Sequence, residues 1–154
     1  MTNDQLKQFI KNYTTEVEFV DNPYSLECIV NTVHFYNLAR VLKESDSTAF
    51  DFLYCVTGID LQDSLGVIYH LESTKLQHKL ILKVFASDID NPEIPSVFDL
   101  WDCAELQERE VFDFFGIRFL KHPDLRRIFM EEDWEGYPLR KNYVDTVNII
   151  DLIK

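Results

Sequence analysis

Glycine is scarce in this chain: Gly58, Gly66, Gly116 and Gly136 are the only four in 154 residues. They form neither GxGxxG nor GxxxxGK followed by Ser or Thr, which excludes nucleotide binding by such loops. There is no GxSxG elbow and no HExxH. The cysteines are Cys28, Cys55 and Cys103, an odd number at wide spacing with no CxxC. A zinc or iron–sulfur site built from this chain alone is therefore not expected, and the plain expectation is mostly buried free thiols in a reducing compartment. Basic residues are also few, 15 Lys and Arg against 27 Asp and Glu, for a net charge of −12. That balance opposes nucleic-acid binding and direct attraction to an anionic membrane. No apolar run approaches the roughly 18–20 residues of a transmembrane helix. The opening MTNDQLKQFIKNY has no apolar core of the signal-peptide kind, so membrane contact is expected only through partners.

What is present is apolar and aromatic: 46% and 14% of the residues. That suffices for one globular core and argues against disorder. Thr2 or Asn3 can cap a helix with Leu6, Phe9 and Ile10 on its apolar side. EVEFV alternates, Asn22-Pro23 makes a turn, and LECIV reads as a second strand. Asn31 or Thr32 caps a stronger helix whose Phe35, Leu38, Ala39, Val41 and Leu42 share a face. Three strand-like runs follow. The first places Phe50, Phe52, Tyr54 and Val56 on one side, the second Val67, Tyr69 and Leu71, and the third Leu80, Leu82 and Val84. Short links between them imply an antiparallel meander. Ser96 with Asp99 can start a helix in the manner of a capping box, and one or two helices then run to Gly116. The expected fold is α+β: an antiparallel meander packed with helices over residues 1–117, then an extended segment over 118–154.

Candidate chemistry is sparse. His70 and His78 lie on neighbouring strands, where ordinary strand roles are preferred to a metal site. Glu105, Glu108 and Glu110 surround Arg109. They read as an i, i+4 pair on a solvated face, a partly buried ion-pair cluster, or an acid–base pair of a stand-alone enzyme, with His122 as a second enzymatic candidate. Glu131, Glu132 and Asp133 read as a surface ion-pair patch rather than oxygen ligands to a metal. From Arg118 to Lys141 basic residues slightly outnumber acids, unlike the body before it. An extended segment cannot satisfy its own backbone and so needs a surface to lie on. Trp134, Tyr137 and Leu139 offer anchors, Arg126, Arg127 and Arg140 offer bidentate donors, and Pro123 and Pro138 restrict the backbone.

The stretch EREVFDFFGIRFLKHPDLRRIFMEEDWEGYPLRKNY resembles the signature of the 30-kilodalton subunit of respiratory complex I, the C-type subunit of NADH:quinone oxidoreductase. The matching positions are Glu108, Arg109, Glu110, Asp113, Phe115, Gly116 and Ile117, then His122 through Ile128, then Glu132, Asp133, Trp134, Gly136, Pro138 to Lys141, and Tyr143. Phe112, Phe114, Phe129, Glu131, Asn142 and Val144 depart from the family's Tyr, Met, Leu, Pro, Asp and Pro, and Leu106 replaces a frequent Trp. A weaker likeness extends back to about Phe50.

The resemblance implies a subunit with no catalytic, cofactor-binding or metal-binding residues of its own, flavin and iron–sulfur clusters being held by partners. It implies that His122, Asp124, Arg126, Arg127, Trp134, Gly136, Pro138, Leu139, Arg140 and Lys141 face a partner. In the same way it gives Glu108, Arg109, Glu110, Asp113 and Gly116 a structural role. The expected partners are the 49-kilodalton (D-type) subunit and neighbouring iron–sulfur subunits, at the cytoplasmic side of the inner membrane. An equivalent subunit of a complex-I-like membrane-bound hydrogenase is the alternative. Arg127→Ala and Trp134→Ala are both expected to weaken assembly while sparing the isolated domain.

Overall fold

Thr2 nucleates the first helix: its hydroxyl accepts the Gln5 amide at 3.3 Å while the Gln5 side chain accepts the Thr2 amide at 3.0 Å. The computed structural model of the chain describes residues 1–20, 22 and 24–144. Pro23 of the expected turn, and the end of the expected C-terminal segment from residue 145, lie outside the described residues. Helix α1 (Asn3–Tyr13) buries Leu6 and Ile10. Strands β1 (Val17–Val20) and β2 (Leu26–Asn31) follow. Helix α2 (Thr32–Glu44) starts without a loop, because the Asn31 side chain accepts the Val33 amide at 3.0 Å. It buries Phe35, Leu38, Ala39 and Leu42, with Val41 half-buried at the edge of that face.

Then come β3 (Phe52–Asp60), β4 (Leu65–Ser73), β5 (His78–Phe85), β6 (Glu93–Pro95), α3 (Ala104–Phe115) and β7 (Arg118–Leu120). The main sheet has the order β1-β2-β5-β4-β3, and β3, β4 and β5 form the expected antiparallel meander. The sheet as a whole is mixed, however. β2 lies parallel to β5, with Leu26 opposite Leu80 and Val30 opposite Val84. Side-chain alternation reports which face is buried but not which strand lies alongside, so this pairing is invisible to periodicity. The α+β class stands. One face of the sheet presents Cys28, Val30, Leu80, Leu82, Val84, Val67, Tyr69 and Leu71 to a core shared with α1 and α2. Phe35 of α2 meets the Tyr69 ring at 4.8 Å.

Strand β3 departs from the expected pattern. Leu53 and Val56 point inward, while Phe52 and Tyr54 are 49% and 41% exposed. A register irregularity between Leu53 and Cys55 switches the face by one residue, as a β-bulge does. Phe50, placed on the same side by the sequence, is buried just ahead of the strand. β3 is an edge, and α3 covers it. The Gln107 side chain accepts the Val56 amide at 2.7 Å, and the Cys103 thiol donates to the Leu53 carbonyl at 3.1 Å. At Gly58 a Cβ would stand 2.4 Å from the Phe115 ring, so only glycine admits this approach.

Other expectations are corrected. Ser96 and Asp99 do not cap a helix. α3 begins at Ala104, after turns, the Ser96 hydroxyl turns to Glu108, and Asp99 accepts from the Tyr36 hydroxyl at 2.5 Å. Of the three free thiols only Cys28 is buried; Cys55 is half-buried and Cys103 exposed. His70 stands opposite Ile81 and His78 opposite Ser73, so the two histidines do not face each other. The first residues of the expected extended segment form β7, which pairs in parallel with β6.

Candidate functional site

Helix α3 carries an unusual burden of buried polarity: Glu108 and Asp113 have no solvent exposure, and Arg109 is 7% exposed. Burial of charge on this scale requires dedicated partners. The segment after β7 supplies them. Asp113 Oδ2 accepts the amides of Ile128, Phe129 and Met130 at 3.0, 2.7 and 3.0 Å. Its Oδ1 accepts Arg127 Nη1 at 2.8 Å. Burial pushes the Asp113 carboxyl up, but the Met130, Phe129 and Ile128 amides and the Arg127 guanidinium together outweigh it and hold the group below the ordinary range.

Both terminal nitrogens of Arg127 are engaged. Nη1 also donates to the Asp113 carbonyl at 3.0 Å, and Nη2 to the carbonyls of Trp134 and Gly136 at 3.1 and 3.0 Å. Its plane lies over the Tyr137 ring at 5.2 Å, and Arg140 stands over the same ring at 4.8 Å. Arg140 Nε donates to the Phe115 carbonyl at 2.6 Å, and the Leu139 amide donates to the Phe114 carbonyl at 3.1 Å. These two bonds take up carbonyls that the end of α3 leaves unpaired. Gly116 ends the helix at φ 69°, and a Cβ there would come within 2.3 Å of the Tyr137 ring, so backbone and packing both demand glycine. Gly136 sits at φ 80°. The Lys141 amide donates to Asp60 Oδ2 at 2.8 Å, tying the segment to the end of β3.

Arg109 reaches the other side of the segment. It donates to the carbonyls of Arg126 and Arg127 at 3.2 and 3.4 Å, and its Nη1 lies 3.8 Å from both Glu105 and Asp124. The His122 ring is fixed between the Glu105 carbonyl at Nε2, 2.9 Å, and the Asp124 amide, which donates to Nδ1 at 3.1 Å. Nδ1 accepts, so the proton sits on Nε2. Arg126 is exposed and pairs with Asp124 at 2.8 Å. Glu108 belongs to a separate arrangement: it accepts the Ser96 hydroxyl and the Val97 amide, the latter at 2.9 Å. Burial raises its carboxyl to about 7, against the two hydrogen bonds that favour the anion.

Most residues singled out in the sequence thus meet around one latch between α3 and residues 122–141. Glu110 does not; it is exposed on the outer side of α3. Trp134 and Leu139 are 37% and 53% exposed, and Pro138 is half-buried. Glu131, Glu132 and Asp133 are exposed and form no ion pair among the described residues, so the expected ion-pair patch is absent there. Asp60 and the Phe114–Phe129 stack at 5.4 Å belong to the latch and Ser96 to the Glu108 arrangement, and sequence reasoning assigns none of them there. Nothing local marks Ser96 or Asp60, whose partners lie 12 and 81 positions away. Among the described residues no group of three or more His, Cys, Asp or Glu is placed to hold a metal ion, and no helix is long and apolar enough to cross a membrane.

Residues 28–147 match the family described as respiratory-chain NADH dehydrogenase, 30 Kd subunit. The C/D subunit of the NADH-quinone oxidoreductase of Phocaeicola vulgatus is 46% identical over 110 residues, covering 71% of this chain and 21% of that one. The C-type subunit of the Chloroherpeton thalassium enzyme is 45% identical over 108 residues, covering 69% and 45%. Its counterpart in Chlorobium phaeobacteroides is 40% identical over 118 residues, covering 75% and 70%. This chain therefore spans about a fifth of the C/D relative and under half of the Chloroherpeton one. Among solved structures, a chain of an archaeal respiratory membrane complex, the membrane-bound sulfane sulfur reductase, matches with a TM-score of 0.78 at 26% identity, over 97% of this chain and 89% of that one.

Proposed function

The chain belongs to the family of the 30 kDa subunit of respiratory-chain NADH dehydrogenase, and from that premise we propose that it is a non-catalytic peripheral-arm subunit of a proton-pumping NADH:quinone oxidoreductase. Its task is to help assemble the quinone-reducing module. It sits at the cytoplasmic side of the inner membrane, beside a 49-kilodalton D-type subunit and iron–sulfur subunits. The flavin and clusters belong to those partners and none to this chain.

The observation that carries this reading is where the polar groups of α3 are directed. Glu108 is held by Ser96 and Val97, Arg109 by two carbonyls of the segment, and His122 by Glu105 and Asp124. Glu108, Arg109 and His122, the buried or fixed groups that an acid–base enzyme would use, are each held by their own chain, and Glu110 is exposed on the outer side of the helix. Such an arrangement supports a scaffold that presents a shaped surface.

A second reading is favoured by the likeness to the sulfane sulfur reductase chain: the equivalent subunit of a complex-I-like membrane enzyme, such as a membrane-bound hydrogenase. Affinity recovery of the tagged chain from native membranes in mild detergent, with mass spectrometry of what accompanies it, separates the two. Recovery with a D-type subunit, iron–sulfur subunits and flavin subunits is the expected result. Nickel-site or sulfur-reducing subunits in place of the flavin module select the second reading. A chain recovered alone overturns both.

A further inference from the structure

The arginines whose side chains suit a partner's carboxylates are engaged at home, and this changes the electrostatic character of what faces outward. Arg109, Arg127 and Arg140 point into the latch, and Arg126 is paired with Asp124. What remains at the surface between Phe129 and Val144 is predominantly apolar and acidic, with Lys141 as its exposed cation. Phe129, Trp134, Leu139 and Val144 are 64%, 37%, 53% and 80% exposed. Glu131, Glu132, Asp133 and Glu135 are exposed around them. Within this stretch lies a hollow of about 620 Å³, with Trp134, Tyr137 and Tyr143 in its walls and Glu131, Asp133 and Glu135 at its edge. Arg140 also lines it, but its guanidinium is committed to the Phe115 carbonyl and the Tyr137 ring. Lys121 and Lys141 line other hollows.

Resting on the reading of this chain as an assembly subunit, we infer that this hollow is a docking site for a lysine or arginine side chain presented by the apolar-edged surface of a neighbouring protein subunit. Aromatic walls and a carboxylate rim are complementary to a cation on an aliphatic stem: the rings accept the stem and the charge, and the rim supplies opposite sign. The exposed Phe129, Trp134 and Leu139 beside it supply the apolar contact that anchors an interface. A partner with an acidic surface would meet like charge here.

The test uses the full chain in its native membranes. Glu131, Asp133 and Glu135 are changed together to Lys, and a second variant carries the same charge change at Glu18, Glu44 and Asp46, exposed positions on β1, at the end of α2 and just after it that line neither this hollow nor the one beside it. Partner subunits recovered with the tagged chain are quantified, and the melting point of each purified variant is measured. The rim variant is expected to lose at least roughly tenfold of the recovered partner with an unchanged melting point, and the distant variant to keep it. Full recovery with the rim variant overturns the docking site, as does equal loss with the distant variant. Failure of the wild-type chain to bring any subunit overturns the assembly reading itself and this inference with it.

Discussion

Asp113 gathers four donors on one buried carboxylate, and Glu108 gathers two on another, yet the two respond to acid in opposite ways. Asp113 titrates below its ordinary 3.8, so its contribution is complete above that value and is lost as pH falls through the lowered one. Glu108 titrates at about 7 instead of 4.5. The folded chain therefore keeps a proton that the unfolded chain releases, and stability falls as pH rises from about 4.5 to about 7. Glu108→Gln keeps an acceptor for Val97 and removes the titration. Its melting point is expected to fall less than that of wild type between pH 5 and 8, by a difference on the order of 3 kcal/mol of stability. Parallel melting curves across that range would refute it. For Asp113→Ala, amide exchange at Ile128, Phe129 and Met130 is expected to accelerate by roughly a hundredfold while β4 and β5 stay protected. Mass spectrometry of exchanged peptides reads this directly, and unchanged exchange at those amides would show that another group holds the segment. Both carboxylates stand out in the sequence as acids in a helix, but their burial does not, because the Ser96 and Ile128–Met130 donors arrive from loops without periodicity.

At the scale of elements, the union of α3 with the segment behind it depends on Gly116 and Arg127. Gly116→Ala combines an unfavourable backbone with a clash against Tyr137 and is expected to cost about 2 kcal/mol or more in urea denaturation. In a Tyr137→Ala background the clash is gone, and the cost of Gly116→Ala is expected to fall to the backbone strain of about 1 kcal/mol. An undiminished cost of Gly116→Ala in that background would show that the ring is not the obstacle. The sequence reading expects Arg127→Ala to spare the domain, and the geometry reverses this. Removing Arg127 leaves Asp113 buried without its cation, at about 3 kcal/mol. Trp134→Ala is expected to cost less, about 2 kcal/mol, since the residue keeps 37% exposure and its loss strands no buried charge. Equal melting points for the two variants would contradict this division. The glycine stop of α3 and most strands are legible from spacing and residue type, but the start of α3 is not, since Cys103 at its head makes no capping bond. The bulge in β3 is not, because Phe52 and Tyr54 satisfy an alternation that the bulge interrupts, and exposed aromatics carry no local mark of which way they face.

Taken whole, the molecule couples a sheet core that any α+β reading of the sequence anticipates with a surface strap whose course depends on contacts across the chain. The core is legible because Leu80, Leu82 and Val84, or Val67, Tyr69 and Leu71, repeat at the strand period. The order of strands is not, since β2 finds its neighbour roughly fifty residues later. The same separation governs how the chain folds. The β1–β2 hairpin and α2 leave the ribosome before the meander, but the strand that completes β2 is the third of that meander. Until β5 is made, β2 keeps one edge unpaired, and closing that parallel pairing carries the entropy of the long intervening loop. Nucleation therefore falls to the local β3–β4–β5 hairpins, and the N-terminal third joins a template already formed. In pulse-labelled refolding, amides of β4 and β5 are expected to gain protection before those of β1 and β2, so that strands made before the meander are locked after it.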